Sequence, residues 1–390
     1  MKKPRKMIRR IARTDRGRKS LKLLKGCTRI LPPPVSGKES VEDLVDNTFL
    51  AYNSARLREA CSLYVEKILR PDVVVGLSFA GALTPAGLGP SVFVPLIEAG
   101  FVDWMVTTGA NLYHDLHFAF DYPLYMGSHL ADDVELHKQD VVRIYDVLLS
   151  LTDCLMPTDA RLKEIFMRPE FQKRMGTAEL HYYLGKIADQ AERKNRKHGV
   201  SVLAAAYRAR MPIYVSAPGD SSLALNWVES VMLGSELVVD TAIDVNESAA
   251  IVWQTKQEGK KAAAILLGGG SPKNFMLQTE PQIQQILKLK GAGFDYFMQV
   301  TDARPDTGGL SGATPHEAVS WGKVNPTALS DAVVCYLDTT VALPIIAHYA
   351  LRKRRARRLR RLYDKRKLYT RKLEQAYRIL SAAVRRNHRG

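Results

Sequence analysis

Seven short apolar runs rich in β-formers recur along the chain: Asp72–Ser78, Asp103–Thr107, Ile213–Ser216, Glu236–Asp240, Ala262–Leu267, Phe294–Val300 and Ala332–Leu337. Longer segments with helical spacing separate most of them, among them Leu162–Phe171, Leu180–Lys194 and Glu280–Leu289. A strand that is apolar along its whole length is covered on both faces, and strands joined through helices run parallel. The alternation therefore predicts an α/β fold: a doubly wound, mostly parallel sheet with helices on both faces. A further helix is expected from Val41 to Leu69, stopped by Pro71, behind the stiff connector Leu31-Pro32-Pro33-Pro34. With 390 residues, 46% of them hydrophobic, the chain can bury a large core.

The residues that follow these runs are small or polar. Gly81 and Thr84 follow the first, Thr107-Thr108-Gly109 the second and Asp220 the third; Gly268-Gly269-Gly270, Thr301 and Asp338 follow later ones. Open α/β sheets bind ligands beyond the carboxyl ends of their strands, so this gathering describes a nucleotide pocket.

Charge divides the chain. Residues 1–29 carry 13 Lys/Arg against one Asp, and residues 352–390 carry 17 against two acids; the total of +17 leaves residues 30–351 at −10. We expect a basic N-terminal arm (1–29), a catalytic body (30–351) and a basic amphipathic helix (352–390). In that helix Leu359, Leu362, Tyr363, Tyr369, Leu373, Tyr377, Leu380 and Val384 recur at helical intervals from Leu351 onward. An acidic body suits a cationic substrate; basic ends suit RNA or another anionic surface. No membrane span is expected, because Asp338, Thr339, Thr340, Pro344 and His348 break the most apolar stretch, Val333–Leu351. Cys27, Cys61, Cys154 and Cys335 form no CxxC pair, which suits a reducing, cytoplasmic setting.

Two segments carry chemistry. Ile265–Gly270 is a strand entering a glycine-rich turn, where backbone N–H groups can meet a phosphate; an ordinary tight turn is the plainer alternative. His316–Lys323 places a carboxylate, Glu317, a large aromatic, Trp321, and an amine, Lys323, close together. An apolar wall lowers a lysine's pKa and frees its amine for attack on a C=N or C=O bond, and a tryptophan face attracts organic cations. A surface lysine beside a core tryptophan is the plainer reading. His114-Asp115-Leu116-His117 has the spacing of a metal-ligand pair, but no third ligand is evident and a metal-free site is expected. Asp132 and Asp133 read as a solvated pair.

The run Glu317-Ala318-Val319-Ser320-Trp321-Gly322-Lys323 resembles the active-site segment of deoxyhypusine synthases. The resemblance extends over roughly 45–350 and takes in Val106–Asn111, Gly268–Gly270, Ser311-Gly312-Ala313 and Asp338. It implies a Rossmann-like NAD-binding fold and a homotetramer whose sites draw on two chains. It also implies a redox-neutral transfer, in which NAD takes and later returns a hydride and Lys323 carries the aminobutyl group of spermidine as an imine. Glu317 and Trp321 match polyamine-contacting positions; Asp220, Gly268, Gly269, Gly270, Asp306, Ser311 and Asp338 match or adjoin NAD-contacting ones, with Gly81, Thr84, Thr107 and Thr108 at the same strand ends.

The departures cluster. Asn274 stands where the eukaryotic enzymes have a catalytic histidine, Leu225 and Leu310 where they have aspartates, and Tyr113-His114 where they have two glutamates. Asn274 and His114 are therefore expected as substrate contacts of a changed kind. The expected function is aminobutyl transfer to a small amine such as putrescine, giving homospermidine. True deoxyhypusine synthesis on a translation-factor precursor is the alternative. A non-catalytic protein that binds NAD and polyamines and is held on RNA by its basic ends is a third reading.

Overall fold

The computed structural model describes residues 24–387. Six of the seven apolar runs form one parallel sheet: β1 (Val73–Phe79), β2 (Trp104–Thr107), β3 (Ile213–Val215), β4 (Lys261–Leu267), β5 (Tyr296–Val300) and β6 (Ala332–Cys335). Their spatial order is β3-β2-β1-β4-β5-β6. The chain winds outward one way through β1, β2 and β3 and the other way through β4, β5 and β6, so the direction reverses between β1 and β4. In sheets of this order the reversal opens a crevice at the strands' carboxyl ends.

Side-chain alternation sends the sheet into two cores. Val73, Val75, Leu77 and Phe79 of β1 join Ile265 and Leu267 of β4 in the larger one, while Val74, Trp104, Val106, Ala264 and Leu266 enter the second. Burial on both faces is why these strands are continuous apolar runs rather than alternating ones. Gly76 is required by packing: a Cβ there would lie 2.7 Å from the Trp104 indole.

Three expectations are corrected. The run Glu236–Asp240 supplies only Val238–Val239, paired with Arg174–Met175 outside the main sheet. It ends early because Asp240 caps the helix Thr241–Gln257, its carboxylate accepting from Ala242 N at 2.9 Å. The helix expected over 41–69 is two, Val41–Asn47 and Tyr52–Leu63 with its continuation to Ile68, because Phe49 turns inward to pack on the core. The tail is not one helix from Leu351. Helix Thr339–Lys353 ends, residues 354–361 run extended, and Leu362–Asn387 is helical again. Leu362, Tyr369 and Leu373 of that last helix are part of the second core, so the tail's first turns form a layer of the fold.

One unit had no sequence signal. Leu124–Met126, Val141–Ile144 and Val147–Ser150 form a small antiparallel sheet whose hairpin turn carries Tyr145 at φ 55°. Its strands are short and largely half-exposed, so neither apolar continuity nor clean alternation marks them.

Candidate active site

Lys323 follows the short helix Pro315–Ser320, whose N-terminus is capped by Thr314, its hydroxyl accepting from Glu317 N at 3.2 Å. Gly322 at φ 67° turns the chain sharply before the lysine. The backbone on either side of Lys323 is then fixed to Phe294: Phe294 N donates to Lys323 O, and Asn325 N to Phe294 O. The side chain therefore projects from a tethered stretch into a pocket of about 260 Å³.

The pocket walls are mostly apolar, with Leu277, Phe297, Leu310 and Trp321 among them, and Glu317 is the carboxylate that lines it. The Lys323 amine donates to Asn274 Oδ1 at 3.2 Å and stands 5.5 Å from the Trp321 ring centre. Burial pulls the Lys323 ammonium below the usual lysine range, and the Glu317 charge opposes that pull only in part. Lys323, Glu317, Trp321 and Asn274 are thus brought together as the sequence suggested.

A second lysine lies beside them. Lys273 is buried, donates to Ala313 O at 2.6 Å and to Gln299 Oε1 at 3.2 Å, and burial pushes its pKa down to about 8. Sequence reading missed Lys273. Its only signal was a position three residues past the last glycine of the turn, on the first turns of the helix Gly270–Leu277.

The glycine turn links this pocket to the crevice at the winding reversal. Ser311 Oγ accepts from Gly270 N at 3.0 Å, and a Cβ on Gly269 would fall 1.6 Å from that oxygen, so only glycine fits. The adjacent Leu310 lines the lysine pocket, so one loop touches both cavities. The crevice, about 360 Å³, is walled by Gly81, Gly268, Gly269, Asp302, Asp338 and the hairpin turn at Tyr145. Gly81 (φ 74°) and Gly268 (φ 68°) present bare backbone with nothing within 4 Å of where a Cβ would be. Asp302 was not singled out from the sequence. Asp338 caps the helix Thr339–Lys353, accepting from Thr340 N at 2.7 Å, and its other carboxylate oxygen makes no hydrogen bond among the described residues.

Other predicted residues have different work. Asn111 donates to Gly81 O at 2.8 Å, Thr107 Oγ1 at 3.3 Å and Thr108 Oγ1 at 3.1 Å, while Thr84 donates from its backbone and hydroxyl to Asn111. The three threonines therefore knit the ends of β1 and β2 together. Asp306 is exposed and paired with Arg304, and Asp220 sits in the loop after β3. His114 lies outside both cavities, on the helix Gly109–Phe120. Its Nδ1 is 3.2 Å from His117 Nε2, and His117 Nδ1 is 2.9 Å from Thr158 Oγ1. Burial pushes their pKa values down to about 4 and about 3, so both imidazoles are neutral. Asp115 between them caps the helix Val202–Ala209, accepting from Val202 N at 2.7 Å. Among the described residues, no group of three or more His, Cys, Asp or Glu gathers as metal ligands, and no helix is long and apolar enough to cross a membrane.

A parallel sheet of this order, with a bare-backbone crevice at its winding reversal and a half-buried lysine beside it, defines an α/β protein with an enzyme-like site. The deoxyhypusine synthase family model matches residues 44–350. A deoxyhypusine synthase-like protein of Nostoc punctiforme is 51% identical over 349 residues, 90% of this chain and 89% of that one. One from a Cyanothece strain is 52% identical over 355 residues, 90% and 88% of the two chains. "Probable deoxyhypusine synthase 2" of Methanosarcina acetivorans is 35% identical, covering 79% of this chain and 86% of its own. The structure described as "a putative deoxyhypusine synthase from Entamoeba histolytica" shares the fold, with a TM-score of 0.52 at 15% identity over 84% of this chain and 99% of that one. The chain belongs to the deoxyhypusine synthase family, a family of transferases.

Proposed function

We propose that this chain is an NAD-dependent aminobutyl transferase that works through Lys323 and delivers its group to a small amine such as putrescine. The observation that carries this reading is the Lys323 pocket: an amine partly discharged by burial, held by Asn274, facing apolar walls and one carboxylate.

NAD suits the crevice beside it, where Gly81, Gly268 and Gly269 leave backbone uncovered and Asp338 and Asp302 offer acceptors for hydroxyl groups. When bound, NAD supplies the hydride acceptor for the carbon beside the donor's secondary amine and later returns that hydride. Glu317 pairs with the donor's free ammonium end, and the Trp321 face lies against its cationic chain. The neutral Lys323 amine attacks the oxidised carbon. A C–N bond to Lys323 forms and the bond to the departing amine breaks, leaving the four-carbon unit on the lysine as an imine. An incoming amine then displaces Lys323 by the same exchange. Lys273 lines the same pocket, and the Lys323 charge adds to burial in holding its pKa down, at about 8.

Asn274 directs the choice of acceptor. Its amide accepts a hydrogen bond from an amine but takes no proton near neutral pH, so it gives no help to a charged lysine arriving on a protein. With one carboxylate in the pocket, a short diamine is matched better than a long trication. The test is a competition in which one labelled donor is offered with putrescine and a lysine-bearing translation-factor precursor together. Label on the diamine supports the proposal. Label mainly on the protein establishes deoxyhypusine synthesis instead, and label on neither, with NAD still bound, means that the altered pocket has a different substrate.

A further inference from the structure

Residues 353–361 cross the amino-terminal edge of the sheet, at the starts of β1 and β2. Arg354, Arg357 and Arg360 form the inner edge. Arg357 Nη2 lies 2.8 Å and Arg360 Nε 3.2 Å from Asp103 Oδ2, Arg360 also donates to Val73 O at 2.8 Å, and Arg354 donates to Val65 O at 2.6 Å. Asp103 is buried at the start of β2, so this edge staples the strap to the sheet.

Arg355 and Arg358 form the outer edge. Both are exposed, and neither makes an ion pair or hydrogen bond among the described residues; nor does Lys365 on the next turn. With Arg361 and Asp364 they line an open groove of about 990 Å³ that runs past Leu69 and Pro71. The inner staple fixes the backbone that carries the outer guanidinium groups.

We infer that this groove is a second binding site, for the phosphate backbone of single-stranded nucleic acid. Planar guanidinium forks match phosphate oxygens, and a row of them along a groove follows a chain of phosphates. A bilayer is a poorer match: the groove is concave, and Leu359, the large apolar residue among these arginines, is turned inward against the core instead of outward as an anchor. The inference stands apart from the transferase reading, since no residue of the lysine pocket or the crevice takes part.

The test is fluorescence anisotropy on the full chain with a labelled single-stranded RNA and with DNA of the same sequence, over a range of salt. Arg355→Ala/Arg358→Ala should bind about tenfold more weakly at moderate salt, and the log–log salt slope should fall by about 1.4, two phosphate contacts' worth. Arg355→Lys/Arg358→Lys, which keeps the charge but loses the planar fork, should fall between wild type and the alanine variant in affinity and keep the wild-type salt slope. The basic run 1–29 is the same in all three proteins and cancels. Equal dependence with RNA and DNA supports recognition of the backbone; a preference for RNA supports the site and names RNA as its source. Unchanged affinity and slope in the alanine variant overturns the inference. So does a salt slope that the lysine variant, with its charge intact, fails to restore.

Discussion

Two parts of this molecule bury cations, and they do so in opposite ways. Beside β5, Lys273 and Lys323 sit in a mostly apolar pocket where Glu317 is the carboxylate, and both are pushed toward the neutral form. At the amino end of the sheet, Arg357 and Arg360 converge on buried Asp103 and keep their charge. The difference follows from the side chains. A lysine deprived of water can lose its proton and become a nucleophile, whereas a guanidinium cannot and must bring a carboxylate with it. Lysine with too little acid makes a reactive site; arginine with enough acid makes a staple.

The comparison breaks most severely at Lys323. Lys323→Ala should lower transfer by about a thousandfold or more, and Lys323→Arg should be equally inactive, because the arginine stays charged. Trapping with borohydride followed by mass spectrometry should find the aminobutyl adduct on Lys323 in the wild type and not in either variant. Near-wild-type turnover by Lys323→Ala would refute the covalent role.

At the staple the effect should be on stability. Arg357→Ala/Arg360→Ala leaves Asp103 buried without its cations, which costs about 3–5 kcal/mol. Urea unfolding should report that loss, while NAD affinity of the folded protein stays unchanged. A loss below 1 kcal/mol would mean that the staple is ornamental.

Proton linkage sharpens the contrast. The folded-state pKa of Lys273, about 8, lies below its unfolded value, so its burial opposes folding fully at pH below 8. As pH rises from about 8 to about 10 the folded protein has already released that proton and the unfolded chain has not, so the penalty fades. Wild type should therefore gain on Lys273→Met by at most about 1.4 kcal/mol per pH unit across that window. Parallel stability curves for the two proteins would contradict this.

The smallest effect is expected at Glu317. Glu317→Gln removes the charge that holds the Lys323 pKa up, so the acidic limb of the pH–rate profile should shift to lower pH. KM for the amine donor should rise about tenfold as the charge-assisted contact is lost. A limb that moves to higher pH would reverse the assigned electrostatics.

Much of the site was legible because its residues are close in sequence. Glu317, Trp321 and Lys323 lie within one helical turn and the tight turn that follows, and the family resemblance runs through that segment. Asn274 was marked by its distance from the triple glycine. Lys273, its immediate neighbour, was not, because nothing in a lone lysine on a helix tells whether it faces water or Gln299. The threonines near β1 and β2 were read as ligand contacts because they follow strands. Only the fold shows that Asn111 occupies their hydrogen-bonding groups.

The tail teaches the same lesson at larger scale. Its arginines read as a charged arm because composition counts charges without their partners. In the structure Arg366 reaches buried Glu247 at 3.2 Å and Glu179 at 3.3 Å, and Arg352 reaches Glu42 at 3.1 Å, so acids from distant parts of the chain absorb much of that charge. Cutting the chain after Leu351 would therefore strip a layer from the second core as well as a basic surface.

The sequence by itself determined the six buried strands, the helices between them and the chemistry of the Lys323 segment, because each depends on residues a few positions apart. Only the tertiary structure decided the rest: the order of the strands, the crevice at their reversal, and which cations lose their charge and which keep it. Those outcomes depend on which groups meet across hundreds of residues, and burial acts on a charge only through the neighbours that the fold supplies.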